Sequence, residues 1–275
     1  MDYKNSKIAF IGGGNMAQAI IRGLISAAHS PKYIHVSDPD IKKIKTLQKI
    51  NNSMLVTESN HKAVKEADII VIAVKPQIIY EVLKELSKSL NFDKQLLISI
   101  AAGSTLNSLK ECLSEKAKLV RAMPNQPALV GKGMCGLFAT SNVKKDSCNL
   151  ASYVMGSVGK VIWVNNEDQM NPLTALSGSG PAYFYLLMEI LEEIAKEFGF
   201  DSQTARELSL QTALGASDLA SNSNESLTAL KKKVTSPGGT TEAALLELEA
   251  AGIRDIFRKA LKVASNRSIE LGQSK

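Results

Sequence analysis

Two textures divide the hydrophobic pattern of this chain. Up to residue 164, short apolar runs of strand length alternate with stretches whose apolar positions recur every three to four residues. The runs at 8–11, 33–37, 54–56, 69–74, 96–100, 118–122, 133–139 and 160–164 predict eight strands. Between them, Met16, Ala19, Ile20 and Leu24 fall at helical spacing, and 41–50, 60–67, 78–90, 106–113 and 145–155 read as further helices. The run Ile69 to Val74 is apolar on both faces, as a central parallel strand should be. From residue 165 onward only helical periodicity remains. Segment 181–198 carries Phe184, Leu187, Met188, Leu191 and Ile194 and closes at Gly199. A helix capped by Asp201 runs to about Ala220, and 225–233, 241–251 and 254–271 follow. The pattern predicts an α/β domain over 1–164 with a doubly wound, mostly parallel sheet, followed by an all-α domain over 165–275.

The first strand ends in Gly12-Gly13-Gly14-Asn15-Met16-Ala17, which fits the G-x-G-x-x-G/A fingerprint of a Rossmann-like dinucleotide site. Gly12 permits the tight turn, Gly14 admits a pyrophosphate close to the backbone, and Ala17 lets the helix pack on the strand. Unpaired N–H groups at the helix start then face the phosphates. Asp38 ends the second strand, about 20 residues past the glycines, where an acid accepts hydrogen bonds from the adenosine ribose. It would repel a 2'-phosphate, which tilts the cofactor from NADPH toward NADH. Alternatively Asp38 caps the next helix, with Pro39 at its first position. Lys75-Pro76 lies at the carboxyl edge of the sheet, where open α/β sheets bind ligands, and Ala101-Ala102-Gly103 is small enough for a nicotinamide ring to lie close.

Composition narrows the partners. At 44% hydrophobic and 22% charged, the 275 residues are those of an ordinary globular protein. A formal charge of +6 raises the question of nucleic acid, but lysines cluster only at 231–233 and at Lys42, Lys43 and Lys45. Aromatic residues are 5% and are not interleaved with them, so no nucleic-acid partner is expected. Cys112, Cys135 and Cys148 are odd in number and widely spaced, which reads as reduced thiols in a cytoplasmic protein. The polar segment 1–7 and the shortness of every apolar run give no leader and no membrane span, and no residue set has metal-ligand spacing.

Two glycine-bearing turns interrupt the helical half, Ser177-Gly-Ser-Gly-Pro-Ala-Tyr183 and Val234-Thr-Ser-Pro-Gly-Gly-Thr-Thr241. The second precedes a helix, so its backbone N–H groups can bind a carboxylate while the threonine hydroxyls add neutral donors. A plain helix cap at Thr241 and Glu242 is the simpler alternative. The three histidines, His29, His35 and His61, all lie in the first 61 residues, and the long helix has no lysine before Lys196. Alcohol oxidation usually needs such a base beside the substrate. Imine reduction asks less, because a hydroxyl can serve as donor, so the inventory leans toward C=N chemistry.

Together with Ala73-Val-Lys-Pro76, Ser99-Ile-Ala-Ala-Gly103 and Arg121-Ala-Met-Pro-Asn-Gln-Pro127, these motifs make the chain resemble the pyrroline-5-carboxylate reductases along essentially its whole length. The resemblance implies hydride transfer from NADPH or NADH to an imine, giving L-proline. It implies that Ile11, Gly12, Gly13, Gly14, Asn15, Met16, Asp38, Asn60, Ala73, Val74, Lys75, Pro76, Ile100, Ala101 and Ala102 hold the dinucleotide. It also puts Ser236, Thr240, Thr241 and Glu167 on the substrate, with the Thr241 hydroxyl as the catalytic donor. The helical domain would serve as a homodimerisation domain, with decamers as the larger assembly. Glu225-Ser226-Leu227 departs from the family, and Lys233 replaces an Asn or Asp, its charge able to offset Asp38. A 3-hydroxyacid dehydrogenase of similar build and a non-catalytic dinucleotide sensor are the alternatives.

Overall fold

The computed structural model describes residues 3–273. Eight strands form one sheet: β1 (Ile8–Ile11), β2 (Ile34–Ser37), β3 (Leu55–Thr57), β4 (Ile69–Ile72), β5 (Leu96–Ser99), β6 (Lys118–Met123), β7 (Gly133–Ala139) and β8 (Gly159–Trp163). Their spatial order is β3-β2-β1-β4-β5-β6-β7-β8, and every pairing is parallel except β6 with β7. The doubly wound, mostly parallel sheet is therefore the one the pattern predicts. In register, Phe10 lies between Val36 and Val71.

The intervening helices are α1 (Asn15–Ser26), α2 (Ile41–Ile50), α3 (Asn60–Val64), α4 (Ile79–Leu86), α5 (Leu106–Cys112) and α6 (Lys145–Gly156). Because strand side chains alternate between faces, Ile8 and Phe10 join one core with Ile20 and Leu24 of α1, Leu47 of α2 and Val154 of α6. Ala9 and Ile11 join another with Val64 of α3, Leu83 of α4 and Leu109 of α5. A sheet buried on both faces can be apolar throughout, and β4 is. It stops two residues sooner than the apolar run: Lys75 precedes a proline and takes extended angles, and Pro76 opens a 3-10 turn, so the strand ends at Ile72, with the Ala73 N–H still donating to the Ile11 carbonyl of β1.

Beyond the sheet, a short α7 (Met170–Leu173) passes through a π-helical turn (Thr174–Gly178) that the periodicity does not reveal. Then come α8 (Gly180–Glu197), α9 (Ser202–Ser221), α10 (Leu227–Lys233), α11 (Thr240–Ala250) and α12 (Ile253–Gln273). By contact density the chain forms two units, one holding the sheet up to Gly178 with Ala264 onward, the other running from Ser179 to Val263. The change of texture at residue 165 thus precedes the packing boundary, because α7 and the π turn carry Met170, Leu173 and Ala175 into buried positions of the first unit. In the helical unit α8 packs on α9, where Ser209 Oγ donates to the Met188 carbonyl at 2.6 Å. The stripe of Phe184, Leu187, Leu191 and Ile194 nevertheless stays exposed, Phe184 by 61%.

Candidate active site

The turn after β1 is built by three glycines with different duties. Gly12 sits at φ +99, and a Cβ there would lie 2.6 Å from the Ala73 carbonyl oxygen, so only glycine fits. Its N–H donates to the Ser37 carbonyl at 2.8 Å, tying the turn to the end of β2. The Gly13 N–H donates to Asp38 Oδ2 at 2.8 Å. Gly14 is the residue before α1, and a Cβ on it would meet nothing within 4 Å. That open face, with the first-turn amides of Asn15 and Met16 lacking intrahelical acceptors, is a cradle for an anionic group.

A cavity of about 360 Å³ opens beside this turn. It gathers Ile11, Gly12, Gly14, Asp38, Asn60, Ala73, Val74 and Lys75 from the carboxyl ends of β1, β2 and β4 and from the start of α3. Gly13 supports the turn from behind, against Leu47 and Asp38. Pro76 opens the 3-10 turn after Lys75. Ile100 donates its N–H to the Ile72 carbonyl, which sets Ala101, buried, and Ala102, exposed, just past β5 and beside the end of β4. Ser37, Pro39, Lys43, Glu58, Ile78 and Val82 line the same cavity and are absent from the sequence-based set. Ser37 was within reach as the polar last residue of a buried strand. Its Oγ donates to Asn60 Oδ1 at 2.7 Å, which leaves the Asn60 amide N–H groups to donate elsewhere.

Asp38 is almost completely buried. Besides Gly13, the Asp40 N–H donates to its Oδ1 at 2.9 Å, and Lys43 Nζ lies 3.1 Å from Oδ2. It does not cap α2: that cap is Asp40, which accepts from the Lys42 N–H, and Pro39 precedes it. In the sheet unit the cation on Asp38 is Lys43, while in the helical unit Lys233 pairs with Glu225 at 2.6 Å. Together the glycine cradle, the buried acid and the oriented Asn60 amide fit the adenosine and pyrophosphate part of a nicotinamide dinucleotide.

Glu167 belongs to the sheet unit. Its Oε1 accepts from the Leu106 N–H at 2.8 Å, closing the start of α5, and from Arg121 Nη1 at 3.0 Å. Arg121, on β6, is buried. With Thr105, Asn171 and Gln273 the pair lines a smaller cavity of about 180 Å³. In the helical unit, Gly238 at φ +71 and Gly239 bring the chain into α11. The Gly238 N–H donates to Glu242 Oε2 at 2.7 Å, and Gly239 caps the helix without a side chain. Thr240 and Thr241 are the first two helical residues, so their N–H groups lack intrahelical acceptors. Ser236 and Thr240 are exposed and Thr241 half-buried. Among the described residues no three of His, Cys, Asp and Glu are grouped to hold a metal ion.

Among curated proteins, the pyrroline-5-carboxylate reductase of Pseudomonas aeruginosa is 41% identical over 97% of this chain and 97% of its own. The chain belongs to the pyrroline-5-carboxylate reductase family. A solved reductase of this family from Coxiella burnetii superposes with a TM-score of 0.94 at 44% identity, covering 97% of this chain and 98% of that one. The Plasmodium falciparum enzyme, solved with NADP bound, gives 0.84 at 30% identity over 98% of this chain and 99% of its own. Residues 167–271 match the family described as pyrroline-5-carboxylate reductase dimerisation, and 7–103 match the coenzyme F420-dependent NADP oxidoreductases. The second segment contains every expected cofactor residue, and the first contains Glu167, Ser236, Thr240 and Thr241.

Proposed function

We propose that this chain reduces the C=N bond of 1-pyrroline-5-carboxylate to give L-proline, the last step of proline biosynthesis, using NADPH or NADH. The observation that carries the reading is the relationship over nearly the whole length to reductases of that name. When bound, the reduced nicotinamide supplies the hydride that reaches the imine carbon. The chain's own residues do the rest. The turn from Ile11 to Met16 holds the pyrophosphate, Asp38 and Asn60 face the ribose, and Ala73 to Pro76 with Ile100 to Ala102 support the nicotinamide end.

Thr240 and Thr241 offer two N–H groups to the substrate carboxylate, where the positive end of α11 adds to the attraction. The Thr241 hydroxyl donates to the ring nitrogen as that atom gains the electron pair of the C=N bond, with Ser236 beside it. The hydride on carbon and one proton on nitrogen, passed through the Thr241 hydroxyl and replaced there from solvent, complete the reduction. Glu167 orders the start of α5 and serves the substrate side of the pocket. The absence of histidine beyond His61 accords with a reaction needing a hydrogen-bond donor and no strong base.

The two segments divide the work, 1–164 for the dinucleotide and 165–275 for substrate and self-association. Self-association is supported by the dimerisation-family match and by the apolar stripe exposed on α8. The assembly is a homodimer through the helical domain, grouped further into decamers, and it works in the cytoplasm; among the described residues no helix is long and apolar enough to cross a membrane. The deciding experiment follows NADPH and NADH oxidation at 340 nm with 1-pyrroline-5-carboxylate. Turnover supports the assignment, and its absence, or turnover with 3-hydroxyacids instead, overturns it. Light scattering on dilution tests the dimer, which a fully active monomer would contradict.

A further inference from the structure

An acid at the end of the second strand ordinarily argues against a cofactor bearing a 2'-phosphate, by charge repulsion. Here that acid is not free to act alone. Both Asp38 oxygens are engaged by backbone N–H groups, Oδ2 by Gly13 and Oδ1 by Asp40, and its side chain is 4% exposed. Its charge is matched by Lys43, whose ammonium lies 3.1 Å from Oδ2 and 3.4 Å from Oδ1. The Lys43 side chain is 44% exposed and lines the cavity, so the ammonium that meets the acid also borders the space where a ligand would lie. The remaining charged groups on that wall, Glu58 and Lys75, are opposite in sign.

We infer that Lys43 determines cofactor specificity: it neutralises Asp38 and presents its ammonium to a 2'-phosphate, so that the site accepts NADPH in spite of its acid. With NADH the ammonium stays on Asp38 and the ribose hydroxyls meet the remaining carboxylate lone pairs. The inference rests on the reading of the cavity as a nicotinamide dinucleotide site, and on nothing about the imine.

Adenosine 2',5'-bisphosphate and 5'-AMP, titrated into the full chain by calorimetry, isolate the 2'-phosphate. The wild type should bind the bisphosphate at least as tightly as 5'-AMP. Lys43→Gln should weaken the bisphosphate about tenfold or more, the worth of one charge-assisted contact, while 5'-AMP stays within about threefold. Lys43→Arg should restore the preference. Asp38→Asn, which keeps an oxygen for the Gly13 N–H, gives up the bond from the Asp40 N–H and releases the ammonium, should raise the bisphosphate-to-AMP ratio, and it carries the test if Lys43→Gln melts early. A ratio unmoved by these variants, or a wild type that binds 5'-AMP tenfold tighter, overturns the inference. Neither ligand contains nicotinamide or imine, so that failure leaves the reaction untouched, whereas failure of the reaction assignment appears as no turnover with this binding intact.

Discussion

Removing the carboxylate of Glu167 separates what that residue does for the fold from the role on the substrate proposed for it. Glu167→Ala deletes one oxygen that serves two donors, the Leu106 N–H at 2.8 Å and Arg121 Nη1 at 3.0 Å. Arg121 has only 6% of its side chain exposed, so the guanidinium is left charged and without its carboxylate inside the sheet unit. Breaking a buried pair in this way costs about 3–5 kcal/mol, and because Glu167 is one-quarter exposed the lower end applies, about 3 kcal/mol. For a chain of this size each kcal/mol lowers the melting temperature by about 2–4 °C, so the unit should melt about 6–12 °C earlier. Glu167→Gln keeps an acceptor for both donors and loses only the charge, about 1 kcal/mol, or roughly 2–4 °C.

Scanning calorimetry at neutral pH without ligands reads both variants, and steady-state kinetics on the same samples reads the substrate. If Glu167 also touches the imine side of the pocket, Glu167→Gln raises KM for the imine out of proportion to its small thermal shift. A Glu167→Ala protein melting within about 2 °C of wild type would refute the account of a buried pair that holds α5 to β6.

Gly12→Ala forces a Cβ to within 2.6 Å of the Ala73 backbone at φ +99; it should cost about 2 kcal/mol or more and raise KM for the dinucleotide, and near-wild-type melting would contradict the fit. Thr241→Ala should cut turnover by about 100-fold with dinucleotide affinity unchanged by fluorescence titration, Thr241→Ser should retain most of it, and unaltered turnover in the alanine variant would end the donor role. His29 is buried, which pushes its pKa below 6.5 despite an opposing hydrogen bond with the Ser6 backbone. The unfolded chain therefore binds this proton more readily, and stability is full above pH 6.5 and falls as pH drops toward the lowered folded value. Urea melts across that range should show the loss, and His29→Gln should flatten it; an equal slope in both proteins would place the effect elsewhere.

Much of this architecture is legible from residue order because its causes are local. The glycine turn is readable since a strand that ends in three glycines has few other uses, and φ +99 at Gly12 is what such a residue is for. Strand alternation with helices identifies the sheet, and only the ends shift, as at β4, where Pro76 imposes its own geometry. What stayed hidden depends on side chains meeting across distance. Lys43 is one of several lysines on a basic helix, and only the folded chain shows that it, rather than Lys42 or Lys45, reaches Asp38. The Arg121–Glu167 pair spans 46 residues, and nothing in the spacing of either marks the other. The apolar stripe of α8 was readable as periodicity but not as exposed, because periodicity reports a face and never names what covers it.

Asp38 shows why residue type at a fingerprint position is weaker evidence than its partners. The rule that an acid there selects NADH assumes a carboxylate facing the ribose with its full charge. Burial makes that charge costly unless it is compensated, and here two N–H groups and an ammonium compensate it. The same bonds lock the Gly13 peptide, so the acid is required by the turn whichever cofactor is used. Selection against a 2'-phosphate then depends on the net charge of the Asp38–Lys43 pair, which is near zero. A relative with the same acid but no lysine in the first turn of the following helix would present a bare negative charge and should reject the phosphate. The two sequences would look alike at the fingerprint and differ in cofactor.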